Sequence, residues 1–275
     1  MSKVNIEQIH TNMSLLIERY INIIKKEYEN YIPEGRLRQL EKIKDYKEII
    51  FISDFGSING MATFNNVMLP LGAEKVLEQL KRVPGYGSNK NHQLVDKENL
   101  INNNNTFGTY VKHVFLTGTD LEGYFTDLLL HETMHFCGSG GASALKEGMN
   151  EYLTRKVAYK YDLHTTGCGY PKEVAIISKL EEIMGEEVIN QLAFINDEKE
   201  IIRYLEENVS YDMSLLYKII SKEMQEEFDE KYYRYMQHYN GMLGLINKVK
   251  NYEKIDYTRV YELIDQYKKS VVKGR

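Results

Sequence analysis

The residues of this chain best suited to chemistry are His131-Glu132-Thr133-Met134-His135. On a helix, which turns about 100° per residue, positions 131 and 135 lie about 40° apart and one turn above each other. Both imidazoles can then reach one metal ion at about 2.0–2.1 Å, the bond length zinc makes to histidine nitrogen. Glu132 lies beside the pair, within reach of a water on that metal but poorly placed as a ligand. Zinc lowers the pKa of such a water to about 7, so the expected chemistry is hydrolysis by Glu-assisted attack of zinc-bound water. One Zn2+ per chain is the cofactor expected.

A third donor is required. The extended form HExxHxxGxxH fits as far as Gly138, but Gly141 stands where the third histidine should be, and no aspartate replaces it. The segment Ala144-Leu145-Lys146-Glu147-Gly148-Met149-Asn150-Glu151-Tyr152 offers two glutamates one helical turn apart. One of Glu147 and Glu151 suffices for the metal. The other can accept the free ring N–H of a ligand histidine and fix its tautomer, or Glu151 can pair with Arg155 at i+4.

The elements that must position these groups follow from periodicity and punctuation. Thr119-Asp120-Leu121-Glu122 matches a capping box, and the motif helix runs from there to Phe136 and stops at Gly138. The linker Gly138-Ser139-Gly140-Gly141 lets the chain turn back, so a second helix, Ser143 to Tyr161, packs against the first. Upstream, Ile6, Ile9, Met13, Leu16, Tyr20, Ile24 and Tyr28 form the stripe of a helix from Asn5 to Glu29, and a short helix follows from Arg36 to about Tyr46. Strands are expected at Glu48–Phe55, Met61–Leu69 and Thr109–Thr117, with a helix at Leu71–Arg82 and a long loop at Val83–Gly108. Downstream helices are expected at Pro171–Met184, Glu186–Phe194, Lys199–Asn208 and Asp212–Phe228, with two more to the C-terminus.

HETMH followed by LKEGMNEYLTRK resembles the gluzincin metallopeptidases, and in particular the aminopeptidase-N-like branch with its Leu-x-Glu-Gly-x-x-x-Tyr ligand helix. The resemblance covers about Asp127 to Arg155. It implies that Glu147, the glutamate before glycine, is the third zinc ligand beside His131 and His135, and that Glu151 is the supporting carboxylate. The element pattern gives an α+β chain: a small mixed sheet with the active-site helix in residues 1–140, then an all-helical subdomain in residues 141–275 carrying the third ligand. The resemblance implies that this fold is zincin-like. The branch's Gly-x-Met-Glu-Asn segment, which recognises a free amino terminus, has no counterpart here. The nearest stretch, Asn59-Gly60-Met61-Ala62-Thr63, lacks the acidic residue, and the gap from His135 to Glu147 is shorter than in the aminopeptidases. An endopeptidase is therefore expected in preference to an aminopeptidase, with an extended peptide lying along Thr109–Thr117. His113 in that strand is read as an ordinary strand histidine in preference to a substrate contact. Peptidases of this kind need a donor for the oxyanion, and Tyr170 and His164, in the Gly-rich stretch after the ligand helix, are the two candidates.

Composition narrows the partners. With 35 Lys+Arg against 40 Asp+Glu, the formal charge of −5 gives no electrostatic reason to expect nucleic acid as a partner. No apolar run reaches the eighteen residues of a membrane span, and the N-terminal residues lack the pattern of a secretory signal. Two cysteines, Cys137 and Cys168, do not make a disulfide framework. The expectation is a cytoplasmic zinc metallopeptidase acting on a peptide or protein substrate. The alternatives are a non-peptide zinc hydrolase and a non-catalytic zinc-containing protein that binds a partner. Intact Glu132 argues against the last, because a purely structural site has no use for a base.

Overall fold

The structure, a computed structural model, describes residues 18–40, 50–52, 61–62, 67–70, 121–138, 143–165, 169–233 and 251–273. Residues 18–28 (α1) are helical and are followed by α2 (Glu34–Leu40). Three short strands come next: β1 (Ile50–Ile52), β2 (Met61–Ala62) and β3 (Val67–Pro70). β3 is central, parallel to β1 with Ile50 opposite Met68, and antiparallel to β2 with Met61 also opposite Met68. Then come α3 (Leu121–Cys137), α4 (Ala144–Lys160), α5 (Pro171–Met184), α6 (Glu186–Phe194), α7 (Glu198–Asn208), α8 (Tyr211–Phe228, continued by a π-helical turn at Asp229–Tyr233) and α9 (Thr258–Lys273).

The α+β, zincin-like architecture expected from the sequence is corrected by this arrangement. Where side chains are described, 83% of residues are helical and none lies in a strand. Of the strands, of three, two and four residues, β2 and β3 border α3, and none supplies a described core residue. The physical reason lies in α3 itself. Leu129, Leu130, Met134, Phe136 and Cys137 are all buried and point to more than one side of the helix. Asp127, His131, Glu132, Thr133 and His135 on its remaining face are buried as well, so α3 is enclosed on all sides, and neighbouring helices provide that burial. One continuous core runs from Tyr20, Ile24 and Tyr28 on α1 through Leu145, Met149 and Leu153 on α4 to Val260 and Ile264 on α9. Tyr28 meets Phe194 with ring centroids 5.4 Å apart, joining α1 to the end of α6.

Local signals set the helix ends. Gly138 closes α3 with its N–H on the Met134 carbonyl at 2.8 Å. Ser143 caps α4, its hydroxyl accepting from the Lys146 N–H at 3.2 Å. Pro171 opens α5, and Gly185, at φ +89°, ends α5 and starts α6 in a conformation that L side chains rarely adopt. The expected helix from Asn5 is described only from residue 18, and the one from Arg36 spans Glu34–Leu40. Of the expected strand at Glu48–Phe55 the described part is β1, and of that at Met61–Leu69 the described parts fall in β2 and β3; the remaining residues of both lie outside the described ones. The expected helix at 71–82, the loop at 83–108, the strand at 109–117 with His113, the cap at Thr119 and the thiol of Cys168 lie outside the described residues. Cys137 is a free, buried thiol whose pKa burial pushes far up. Among the described residues no helix is long and apolar enough to cross a membrane.

α4 is held from several directions. It packs against α3, α5, α6 and α8. At its first turn, buried Lys146 donates to the carbonyls of Leu192 (2.6 Å), Ala193 (3.2 Å) and Ile195 (2.7 Å), which closes the C-terminal end of α6. Burial pulls the Lys146 pKa down to about 7. Against α5 the approach is so close that a Cβ built on Gly148 would stand 2.7 Å from the Glu173 Cβ. Glu173, fully buried, accepts from the hydroxyls of Tyr252 and Tyr257, the latter at 2.6 Å. Burial raises its pKa, against the pull of those two hydroxyls.

Candidate metal centre

α3 and α4 cross so that the residues singled out by spacing meet. His131 and His135, one turn apart on α3, face each other edge to face with ring centroids 4.7 Å apart. Their Nε2 atoms are 3.0 Å apart, and Glu147 Oε2 on α4 lies 3.2 Å from each. His131, Glu132, His135 and Glu147 are all 9% exposed or less. Glu147 falls in the first turn of α4, where the positive end of the helix favours a carboxylate.

Hydrogen bonding alone accounts poorly for this convergence. Two Nε2 atoms at 3.0 Å cannot both carry protons directed at each other, and a single carboxylate oxygen is shared between them. A tetrahedral ion with bonds of about 2.0–2.1 Å demands donors about 3.3–3.4 Å apart. The observed triangle of 3.0, 3.2 and 3.2 Å is close to one face of such a tetrahedron. These three are the donor group among the described residues that could hold a metal. Two imidazoles and a carboxylate suit zinc or a similar transition ion, whereas calcium and magnesium prefer oxygen alone. The residues present therefore fit the ion that the sequence motif implies.

The electrostatics are those of a tightly coupled buried cluster. Burial pulls the His131 pKa down, but hydrogen bonds to Glu147 and Glu151 and their charges outweigh it and hold the ring well above the ordinary histidine range. Burial pushes Glu147 up, and the adjacent His135 and His131 more than reverse it, so its carboxyl sits far below the usual carboxylate range. A positive charge is thus favoured between these groups, the role a divalent ion would fill.

A second layer surrounds the donors. Glu151 Oε2 accepts from His131 Nδ1 at 3.0 Å, and its Oε1 accepts from Arg155 Nε at 3.0 Å. The two roles weighed for Glu151, support of a histidine and pairing with Arg155, coexist on its two oxygens. Tyr170 adopts a left-handed backbone (φ 43°) just before Pro171, and its ring stacks on His131 at 5.6 Å and 22°. Glu132 is buried beside the pair and outside the donor triangle. His164 is exposed in the turn after α4 and is not among the donors.

One contact was missed by sequence reasoning. Asn150, 1% exposed, places Nδ2 2.6 Å from His135 Nδ1. It lies three residues after Glu147, on the same face of α4, and that spacing is the signal that could have found it. Consecutive residues Asn150 and Glu151 thus engage the outer nitrogens of both histidines. A metal on His135 Nε2 leaves a proton on Nδ1, and the Asn150 amide, turned over, offers Oδ1 to accept it.

The chain matches no known protein family, no curated protein and no solved structure, so the likeness to gluzincins rests on the residues of α3 and α4 themselves.

Proposed function

We propose that this chain is a zinc-dependent peptidase, an endopeptidase, with His131, His135 and Glu147 holding the ion. The observation that carries the reading is the convergence of two Nε2 atoms and one carboxylate oxygen within 3.0–3.2 Å, with Glu132 buried beside them. Zinc, when bound, supplies Lewis acidity, polarising a carbonyl and acidifying water. Glu132 takes the proton of the attacking water and returns it to the leaving amine, so that water and a peptide bond become a carboxylate and an amine. Glu151 and Asn150 orient the two rings. Of the two candidates for steadying the oxyanion, Tyr170 is preferred, because its ring already lies on His131 while His164 is exposed. The buried free thiol of Cys137 agrees with a reducing compartment, and the cytoplasm is the proposed setting.

The test is a peptide-library cleavage screen of the zinc-loaded protein beside Glu132→Gln. Removing the base should lower turnover by about 100-fold or more with zinc retained. Equal cleavage by the two proteins would refute the mechanism. Zinc binding without cleavage of any peptide would favour a non-peptide substrate or a non-catalytic role.

A further inference from the structure

The segment that brings Tyr170 to the centre is tied to α4 at one point. Arg155 uses its two arms for different partners: Nε donates to Glu151 Oε1, and Nη2 donates to the Gly169 carbonyl. Gly169 in turn lies against the same carboxylate. A Cβ built there would stand 2.7 Å from Glu151 Oε2 and 3.0 Å from Oε1. Its φ is not in the left-handed region, so this glycine is required by the close approach and not by backbone conformation. The next residue, Tyr170, is the strained one. A non-glycine residue at φ 43° persists only where its surroundings over-determine it. The Arg155 bond to the preceding carbonyl and the stack on His131 both act on that turn.

We infer that Arg155 is a positioning residue that couples the Gly169–Tyr170 turn to Glu151, so that the carboxylate orienting His131 and the ring steadying it are set together. Only a planar fork serves here. A lysine keeps the charge but cannot reach carboxylate and carbonyl from two arms. Loss of Arg155 frees Glu151 from one of its two partners and releases the turn that holds Tyr170 on the imidazole. The inference rests on the metal-holding reading of the triad and requires no hydrolytic activity.

The experiment is a double-mutant cycle read as zinc affinity, by competition with a chromophoric chelator, on wild type, Arg155→Met, Tyr170→Ala and the double variant. Tyr170→Ala alone should weaken zinc binding by about 3–10-fold, the worth of one ring stack. Arg155→Met should weaken it by about 10–100-fold, as for other residues behind a ligand. With Arg155 gone, Tyr170 is already displaced, so the double variant should lie within about twofold of Arg155→Met. Should Arg155→Met fail to fold, Gly169→Ala takes its place, because it pushes the turn off Glu151 with Arg155 intact. Tyr170→Ala should again add no more than about twofold in that background. Arg155→Lys should not rescue. Full, independent effects of the two substitutions, or no effect of Tyr170→Ala, would overturn the inference alone. Absence of zinc binding in wild type would overturn the metal reading together with it.

Discussion

Gly148→Ala separates tertiary packing from helix propensity at the helix that carries Glu147. In the interior of a solvent-exposed helix this change stabilises by about 1 kcal/mol, since alanine is the better helix former. Here the new Cβ would meet the Glu173 Cβ at 2.7 Å, the Glu173 carbonyl carbon at 3.2 Å and its oxygen at 3.3 Å. None of these is the far end of a flexible side chain, so α5 itself must move. Glu173 is also pinned by Tyr252 and Tyr257 and cannot yield alone. Overpacking costs about 1–3 kcal/mol, and a pinned backbone neighbour places this case at the upper end. Subtracting the propensity gain leaves a net destabilisation of about 2 kcal/mol, or about 4–8 °C in Tm. The assay is urea denaturation of the metal-free protein, followed by zinc competition on the folded variant. Glu147 and Glu151 flank the clash, so zinc affinity should fall together with stability. A variant as stable as wild type, or more so, would show that α4 and α5 are not in the tight contact on which the site's geometry depends.

Further expectations concern the groups behind the ligands. Asn150→Leu should weaken zinc binding by about 10–100-fold with little loss of fold, whereas Asn150→Asp, which keeps an acceptor, should recover much of it. Equal affinities for the two variants would remove Asn150 from its role. Glu173 should make stability depend on pH: burial raises its folded pKa above the unfolded value, against the pull of Tyr252 and Tyr257. Its contribution is therefore complete below the ordinary glutamate range of about 4.3 and is lost as pH rises through the folded value. Urea titrations of wild type and Glu173→Gln across that range should show wild type losing ground to the variant as pH rises. A constant difference would contradict the assigned shift.

How far the sequence could be read depends on the distance over which each signal acts. The helix ends at Ser143, Pro171 and Gly185 are local matters of capping and φ, and they were legible. So were the facing positions of His131 and His135, which follow from helical geometry alone. The sheet was overweighted, because short β-branched runs such as Glu48–Phe55 read as strands whether or not they build a core. The apolar residues of α3, from Leu129 to Cys137, already called for covering partners, and these are helices. Glu173 and Lys146 resemble ordinary solvated helix residues. Their partners, Tyr252 and Tyr257 for one and the carbonyls at the end of α6 for the other, stand about 80 and 50 residues along the chain. Asn150 carries no charge to mark it, and its role behind His135 follows only once α4 is seen to cross α3.

The most direct test of the account is the metal content of the purified protein, by elemental analysis, beside Glu147→Ala. The account expects one zinc per wild-type chain and loss of most of it in the variant, which keeps both histidines but lacks the oxygen that both Nε2 atoms approach. Wild-type protein that takes up no metal after reconstitution, or a variant that binds as tightly as wild type, would contradict it.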